Sequence, residues 1–347
     1  MTKNGSKVTT RTPVEVAILC YPGSQAASIF GLSDLFMYAD YFARMHAAGM
    51  PAAIPQPAAG SDEPLLRVTH WRERAAGSGL ECGIEGDPGS RARPSIVIIP
   101  ACQLGPPERG SAPSTAAWVS ELHAGGAVIT AVCGGVFLLA ETGLLDGRRA
   151  TTHWKFAAEL RQRFPALQLE VDRIVIDEQD IVTAGGVLAW IDMGLTLVER
   201  SLGPTVMSST AKFMLVEPPN RDQRPYDEFA PPLAHGDRAV LAIQHWLQAD
   251  VTAEFSVGDM AARAGLGSRT FLRRFVRATG FKPTEYHQRL RIARSRELLE
   301  FTRDTIDGVA LAVGYDDTRG FRRAFKHVTG LSPAEYRRRF QRNRPAG

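Results

Sequence analysis

Over the first two-thirds of the chain, short β-branched apolar runs alternate with longer segments of helical periodicity. "VEVAILCYP", "PSIVIIPA" and "AVITAV" are each bounded by Pro or Gly and read as strands of a parallel sheet buried on both faces. "DRIVIDEQDIVTAGG" adds two shorter strands around an acidic turn, and "VLAWIDMGLTLVERSL" and "TVMSSTAKFMLV" carry amphipathic helical spacing. This alternation predicts an α/β three-layer sandwich with a mainly parallel sheet over residues 13–216. Sites in such sheets form beyond the carboxyl ends of the strands, where "CYPG", "PACQLG" and "VCGGV" fall. A Pro-rich stretch, 217–236, follows and is semi-rigid by composition; it is expected to act as a relay, a hinge or a spacer.

From residue 237 to 344 the pattern is helical and it repeats. "FLRRFVRATGFKPTEYHQRL" (Phe271–Leu290) aligns with "FRRAFKHVTGLSPAEYRRRF" (Phe321–Phe340) at an offset of 50, with nine of twenty positions identical. Upstream of each lies a short apolar helix, a glycine (Gly265, Gly314) and a tight turn, so each copy reads as a helix-turn-helix, about 257–279 and about 306–329. Val257, Met260, Ala261 and Ala264 would bury one face of the first helix, and Gly265 would supply a positive φ at its end. Phe271 and Phe275 would bury the inner face of the second helix, leaving Arg269, Arg273 and Arg277 outward. In the second copy Phe321 and Phe325 turn inward, and Arg319, Arg322, Arg323 and Lys326 lie outside. An unbroken helix, about 284–300, would join the copies and set two recognition helices about 34 Å apart, the spacing of successive major grooves.

Charge sharpens this division. Residues 237–347 hold 21 Lys+Arg against 12 Asp+Glu, a net of +9, whereas residues 1–236 carry a net of −5. Nearly all of that basic charge is Arg, whose planar fork matches phosphate oxygens, so the basic half suits a polyanion. A basic surface that is merely solvated is the alternative, and it is the preferred reading, alongside phosphate contact, for Arg274, Arg277 and the "RRRFQRNR" tail. The apolar fraction of 44% and charged fraction of 22% are those of a folded globular chain. No run is long enough to span a bilayer, and the N-terminus lacks the apolar core of a signal peptide, so a cytoplasmic location is expected. Four widely spaced cysteines show no metal-ligand pattern, and neither metal nor cofactor is expected.

The two linked motifs "AARAGLGSRTFLRRFVRATGFKPTEY" and "FRRAFKHVTGLSPAEYR" closely resemble the AraC/XylS family of bacterial transcriptional regulators. The resemblance implies base contacts from Arg269, Leu272 and Arg273 in the first copy and Arg319, Gly320 and Arg323 in the second. Arg277 and Arg322 complete the candidate DNA-contacting set. Leu272 offers only apolar contact to a thymine methyl and Gly320 offers no side chain, so specificity should lean on the arginines.

Cys133, in "AVCGGVFLLAETGLLDGRRATTHW", sits at a strand-to-helix turn, with His153 twenty positions later. The glycines permit a tight backbone, and the helix N-terminus would favour a thiolate with His153 as base or partner. A packed, unreactive cysteine is the more common outcome for such a residue. The block, with "TAGG" at Thr183–Gly186, resembles the class I glutamine amidotransferase-like domain fused to AraC-type motifs in GlxA-type regulators. That domain implies a flavodoxin-like fold, and its enzymatic relatives use the elbow Cys and the His with an acidic residue and backbone oxyanion donors. Here "YPGSQAASIFGLS" contains no carboxylate, Asp34 comes later, and the usual Gly-Gly of the oxyanion loop is Ala101-Cys102.

These departures suit a ligand pocket better than a hydrolase. Its expected lining is Tyr21, Cys102, Cys133, Gly134, His153, Trp154 and Gly185; for Trp154, as for Trp190, core packing is the stronger reading of the residue by itself. The expectation is a non-enzymatic transcription factor in which a small-molecule effector biases binding to a double-stranded DNA operator, with RNA polymerase and a second copy of the chain as partners. A cysteine-dependent amidase or hydrolase using Cys133, with autoregulatory DNA binding, is the alternative.

Overall fold

The computed structural model describes residues 12–50, 64–74, 79–84, 93–219 and 222–341. It divides into two compact units between Gln223 and Arg224, inside the Pro-rich stretch. Of the basic C-terminal tail, Arg342 and Arg344 lie outside the described residues.

The first unit runs β1 (Val14–Leu19), α1 (Ala26–Ala47), β2 (Leu66–Glu73), β3 (Leu80–Ile84), β4 (Ile96–Ile99), α2 (Pro113–Ala124), β5 (Val128–Val132), α3 (Gly135–Glu141), β6 (Arg149–Ala150), α4 (Ala157–Arg163), β7 (Gln168–Leu169), β8 (Val175–Asp177), β9 (Ile181–Ala184), α5 (Trp190–Leu202) and α6 (Pro204–Phe213). Seven strands form one sheet in the order β3-β2-β1-β4-β5-β9-β8. The five inner strands are parallel, while β3 and β8 close the edges antiparallel. Alternate residues of the strands feed two cores. Val16, Ile18, Ile96, Ile98 and Val182 pack with α1, α5 and α6, whereas Ala17, Leu19, Val97, Ile99 and Ile129 pack with α2, α3 and α4. Coverage of both faces is why β4 is apolar throughout and why both β4 and β9 are fully buried, Thr183 of β9 accepting the Thr151 amide at 2.9 Å.

Strands β2 and β3 are not visible as apolar runs. β2 reads "LRVTHWRE" and is only half buried, because it lies next to the sheet edge and keeps polar residues toward solvent. Helix α5 also starts later than its apolar pattern suggests. Val187 and Leu188 remain exposed in the turn that leaves Gly186, whose φ is +108°.

The second unit is helical: α7 (Arg238–Ala249), α8 (Val257–Arg263), α9 (Ser268–Thr279), α10 (Pro283–Phe301), α11 (Ile306–Ala312), α12 (Thr318–Thr329) and α13 (Pro333–Phe340). The repeat becomes two small cores of matching design. In the first, the Phe271 and Phe275 rings lie 5.4 Å apart and Phe275 meets Tyr286 edge-on at 5.3 Å. In the second, Phe321 and Phe325 lie 5.7 Å apart and Phe325 meets Tyr336 at 5.3 Å. Helix α10 serves both, giving Tyr286 to one and Ile292 and Leu299 to the other. Gly265, which turns the chain out of α8, has φ +65°, as its place in the turn requires. No helix among the described residues is long and apolar enough to cross a membrane.

Candidate nucleic-acid interface and cysteine elbow

The inward phenylalanines of α9 and α12 fix what each helix presents. On α9, Arg269, Leu272, Arg273, Val276 and Arg277 are exposed. Arg274 is not available for phosphate. Its guanidinium grips Asp237, the N-cap of α7, through two hydrogen bonds of 2.7 and 2.8 Å. That pairing holds the Asp237 carboxyl down at about 2, the Arg274 hydrogen bond being the main cause. Arg274, expected from the sequence to contact phosphate or be solvated, has an architectural role instead.

On α12, Arg319, Arg322, Arg323 and Lys326 are exposed, and Arg322 approaches Asp307 at 3.7 Å. Gly320 is half-buried at the start of the helix, where its amide donates to Asp317 at 2.9 Å. Asp317 caps α12 through this bond and a second from the Arg319 amide, also 2.9 Å. A side chain at 320 would come within 3.2 Å of the capping carboxylate, so the capped turn leaves little room there.

In the first unit, β5 ends at Val132 and Cys133 turns into α3 with a positive φ of 55°, costly for a residue with a Cβ. Both of its backbone ends are tied down. The Cys133 amide donates to the Ala184 carbonyl at 2.7 Å, and its carbonyl accepts from the Thr152 hydroxyl at 2.7 Å. Two glycines then let the turn close against the neighbouring loop. A methyl group built on Gly134 would overlap the Cys102 sulfur, and one on Gly135 would overlap the Pro100 and Ile99 carbonyls.

The thiol itself is fully buried. Burial pushes it up to about 12, outweighing backbone amides of Gly134, Gly186 and His153 that point toward the sulfur. The thiolate expected from the helix N-terminus is therefore not the resting form, because desolvation exceeds the dipole's help. His153 is engaged with its own turn. Its Nδ1 accepts the Lys155 amide at 3.1 Å, capping a short turn, and the ring lies beside Trp154 and Phe156. Burial, then Lys155, lowers its proton affinity. Tyr21 is buried with its hydroxyl donating to the Pro100 carbonyl at 2.7 Å, and Asp34 is exposed on α1. Trp190 is core, packed over Gly31, and Trp154 is half-buried.

One residue of this layer has no signal in the sequence. Gln223, in the Pro-rich stretch and only 3% exposed, inserts its amide beside the elbow. Its Nε2 donates to the Thr151 hydroxyl and to the Thr152 and Arg173 carbonyls at 2.9–3.1 Å, and its Oε1 accepts from the Trp154 amide at 3.3 Å. It fills the space over Gly185, where any side chain would collide with it. No local periodicity marks such a residue. In the second unit, the buried Arg296 of α10 donates to the Arg224 and Asp227 carbonyls, and Phe229 packs edge-on to Phe281 and Tyr286. The described residues of the stretch are thus tied into the fold on both sides of the division, where composition left a relay, a hinge or a spacer open.

Burial also yields a test. At pH 8 a thiol titrating near 12 has a thiolate fraction of about one in ten thousand. Iodoacetamide should therefore label the exposed Cys82 rapidly and leave Cys133 untouched until the first unit unfolds, read by peptide-resolved mass spectrometry. Rapid native labelling of Cys133 would refute the closed elbow.

Comparison with known proteins agrees with this division. Residues 90–200 match the DJ-1/PfpI family and residues 260–339 match a helix-turn-helix domain. The chain is 27% identical over 211 residues to the HTH-type transcriptional regulator CdhR of Pseudomonas aeruginosa, covering 60% of this chain and 62% of that one. It is 31% identical over 192 residues to the HTH-type transcriptional regulator GlxA of Rhizobium meliloti, covering 54% and 58%. The matches thus span about three-fifths of the length of each regulator. A shorter match, 35% over 106 residues, is to the isonitrile hydratase of Pseudomonas putida, covering 30% of this chain and 43% of the enzyme. The chain joins a domain of the DJ-1/PfpI family to a C-terminal AraC-type helix-turn-helix domain.

Proposed function

We propose that this chain is a sequence-specific DNA-binding transcription regulator whose first unit binds a small metabolite and does not catalyse. The observation that carries the reading is the pair of recognition helices, α9 and α12, each buried through two phenylalanines and each turning arginines to solvent. The net of +9 in residues 237–347 supports a polyanionic partner, and the names of CdhR and GlxA support regulation. A protonated, enclosed Cys133 and a His153 engaged with its own turn support a binding role for the elbow over hydrolysis. A metabolite reaching this layer would act on Gln223, one peptide bond before the segment held by Arg296, so its binding would bias the C-terminal unit. A duplex operator, RNA polymerase and a second copy of the chain are the partners this reading implies.

The test is selection of duplexes from a random pool by the full chain, followed by affinity measurement against salt. Affinity should fall linearly on a log–log plot as phosphate contacts release counterions. Arg273→Ala should cost about 1–3 kcal/mol at one base position of the selected site. A loss spread evenly over all sequences would make Arg273 a phosphate contact, and absence of duplex binding at low salt would overturn the reading.

A further inference from the structure

The two recognition helices share a backbone frame but not a surface chemistry. Each is twelve residues long, places its first buried phenylalanine fourth and ends at a glycine with φ near +80°. At the offset of 50, the solvent-facing Leu272 and Val276 of α9 correspond to Arg322 and Lys326 of α12. Leu272 is 37% exposed and Val276 is 41% exposed, one helical turn apart. With Arg273, Arg277 and Lys282 they line an open concavity of about 770 Å³. The first copy therefore carries an apolar pair beside its cations where the second copy carries cations at the same two positions.

We propose that Leu272 and Val276 read thymine methyl groups, so that the half-site under the first helix-turn-helix is selected for thymine. This rests on the reading that the C-terminal unit binds duplex DNA. The C5-methyl of thymine is the apolar group that base edges offer in the major groove, and it sits beside hydrogen-bond acceptors flanked by phosphates. The concavity offers both kinds of group, since Leu272 and Val276 line it together with Arg273, Arg277 and Lys282. Two apolar side chains make a small patch for a protein partner, whereas the arginines and lysine beside them complement a phosphate backbone. Val276 becomes a specificity-determining residue alongside Leu272.

The experiment uses the full chain and its selected duplex, with each thymine replaced singly by deoxyuridine, which removes the methyl and keeps every hydrogen-bonding group. Affinity should fall about threefold to fivefold at each thymine touched by the pair. Leu272→Ser with Val276→Ser should abolish the thymine–uracil difference at those positions without moving the thermal midpoint, and Val276→Ile should retain it. Sequence-selective binding that is indifferent to uracil at every thymine would overturn the proposal while leaving DNA recognition intact. So would a double variant that still discriminates. Failure to bind any duplex at low salt would instead overturn the underlying reading, and this proposal with it.

Discussion

Phe321→Ala is expected to remove about 3–5 kcal/mol from the second helix-turn-helix while leaving the first folded. Phe321 is fully buried in a cluster built from α10, α11, α12 and α13, separate from the cluster around Phe271. Emptying it leaves a cavity facing Phe325 and Tyr315, whose rings lie 5.7 and 5.5 Å away. A loss of this size is a large share of the about 5–15 kcal/mol that holds a typical domain. Hydrogen exchange on the full chain should show α11–α13 deprotected and α7–α9 still protected. In the selected operator, base preferences under the second recognition helix should disappear and those under the first remain. Deprotection of both halves alike would mean that α10 couples the two cores into one cooperative unit, against the separation described here. Phe271→Ala should give the mirror result.

Gly135→Ala is expected to destabilise the first unit by about 3 kcal/mol or more, although alanine favours a helix over glycine by about 1 kcal/mol. The added methyl would lie 2.8 Å from the Ile99 carbonyl and closer still to that of Pro100, and neither backbone group can rotate away. Gly134→Ala behaves differently. Gly134 has helical dihedrals of −67° and −18°, so the backbone accepts alanine, and the obstacle is chiefly the Cys102 sulfur. That variant should lose about 1–3 kcal/mol and recover most of it when combined with Cys102→Ala, whereas Gly135→Ala should not be rescued. Trp71, Trp118, Trp154 and Trp190 lie in the first unit and Trp246 in the second, so tryptophan fluorescence during urea unfolding follows mainly the unit in question. Equal behaviour of the two glycine variants in the Cys102→Ala background would contradict the packing of the elbow.

Much of the architecture was legible because periodicity and punctuation are local. Largely apolar runs near 14–19, 96–99, 128–132 and 181–184 marked the four most buried strands, since a strand covered on both faces tolerates only partnered polar groups such as Glu15, Thr130 and Thr183. The offset-50 repeat marked both helix-turn-helices, because equivalent phenylalanines at i and i+4 must face the same way in each copy. Candidate residues on exposed helical stripes were legible for the same reason. Arg269, Arg273 and Arg277 follow from where Phe271 and Phe275 must point.

The sequence by itself therefore determined the most buried strands of the first unit, the two recognition helices with their outward arginines, the asymmetry of charge and the turn at Cys133. Tertiary structure decided what those groups are worth. Whether Cys133 ionises depends on what packs over it, and burial leaves it a thiol. Whether Arg274 is free depends on Asp237, thirty-seven residues away, reaching it from the start of another helix. Whether the Pro-rich stretch is a spacer depends on Gln223 finding Thr151, Thr152 and Arg173 in a layer some fifty to seventy residues earlier in the chain. Each of these outcomes is set by desolvation and by partners distant in sequence, and neither leaves a periodic trace along the chain.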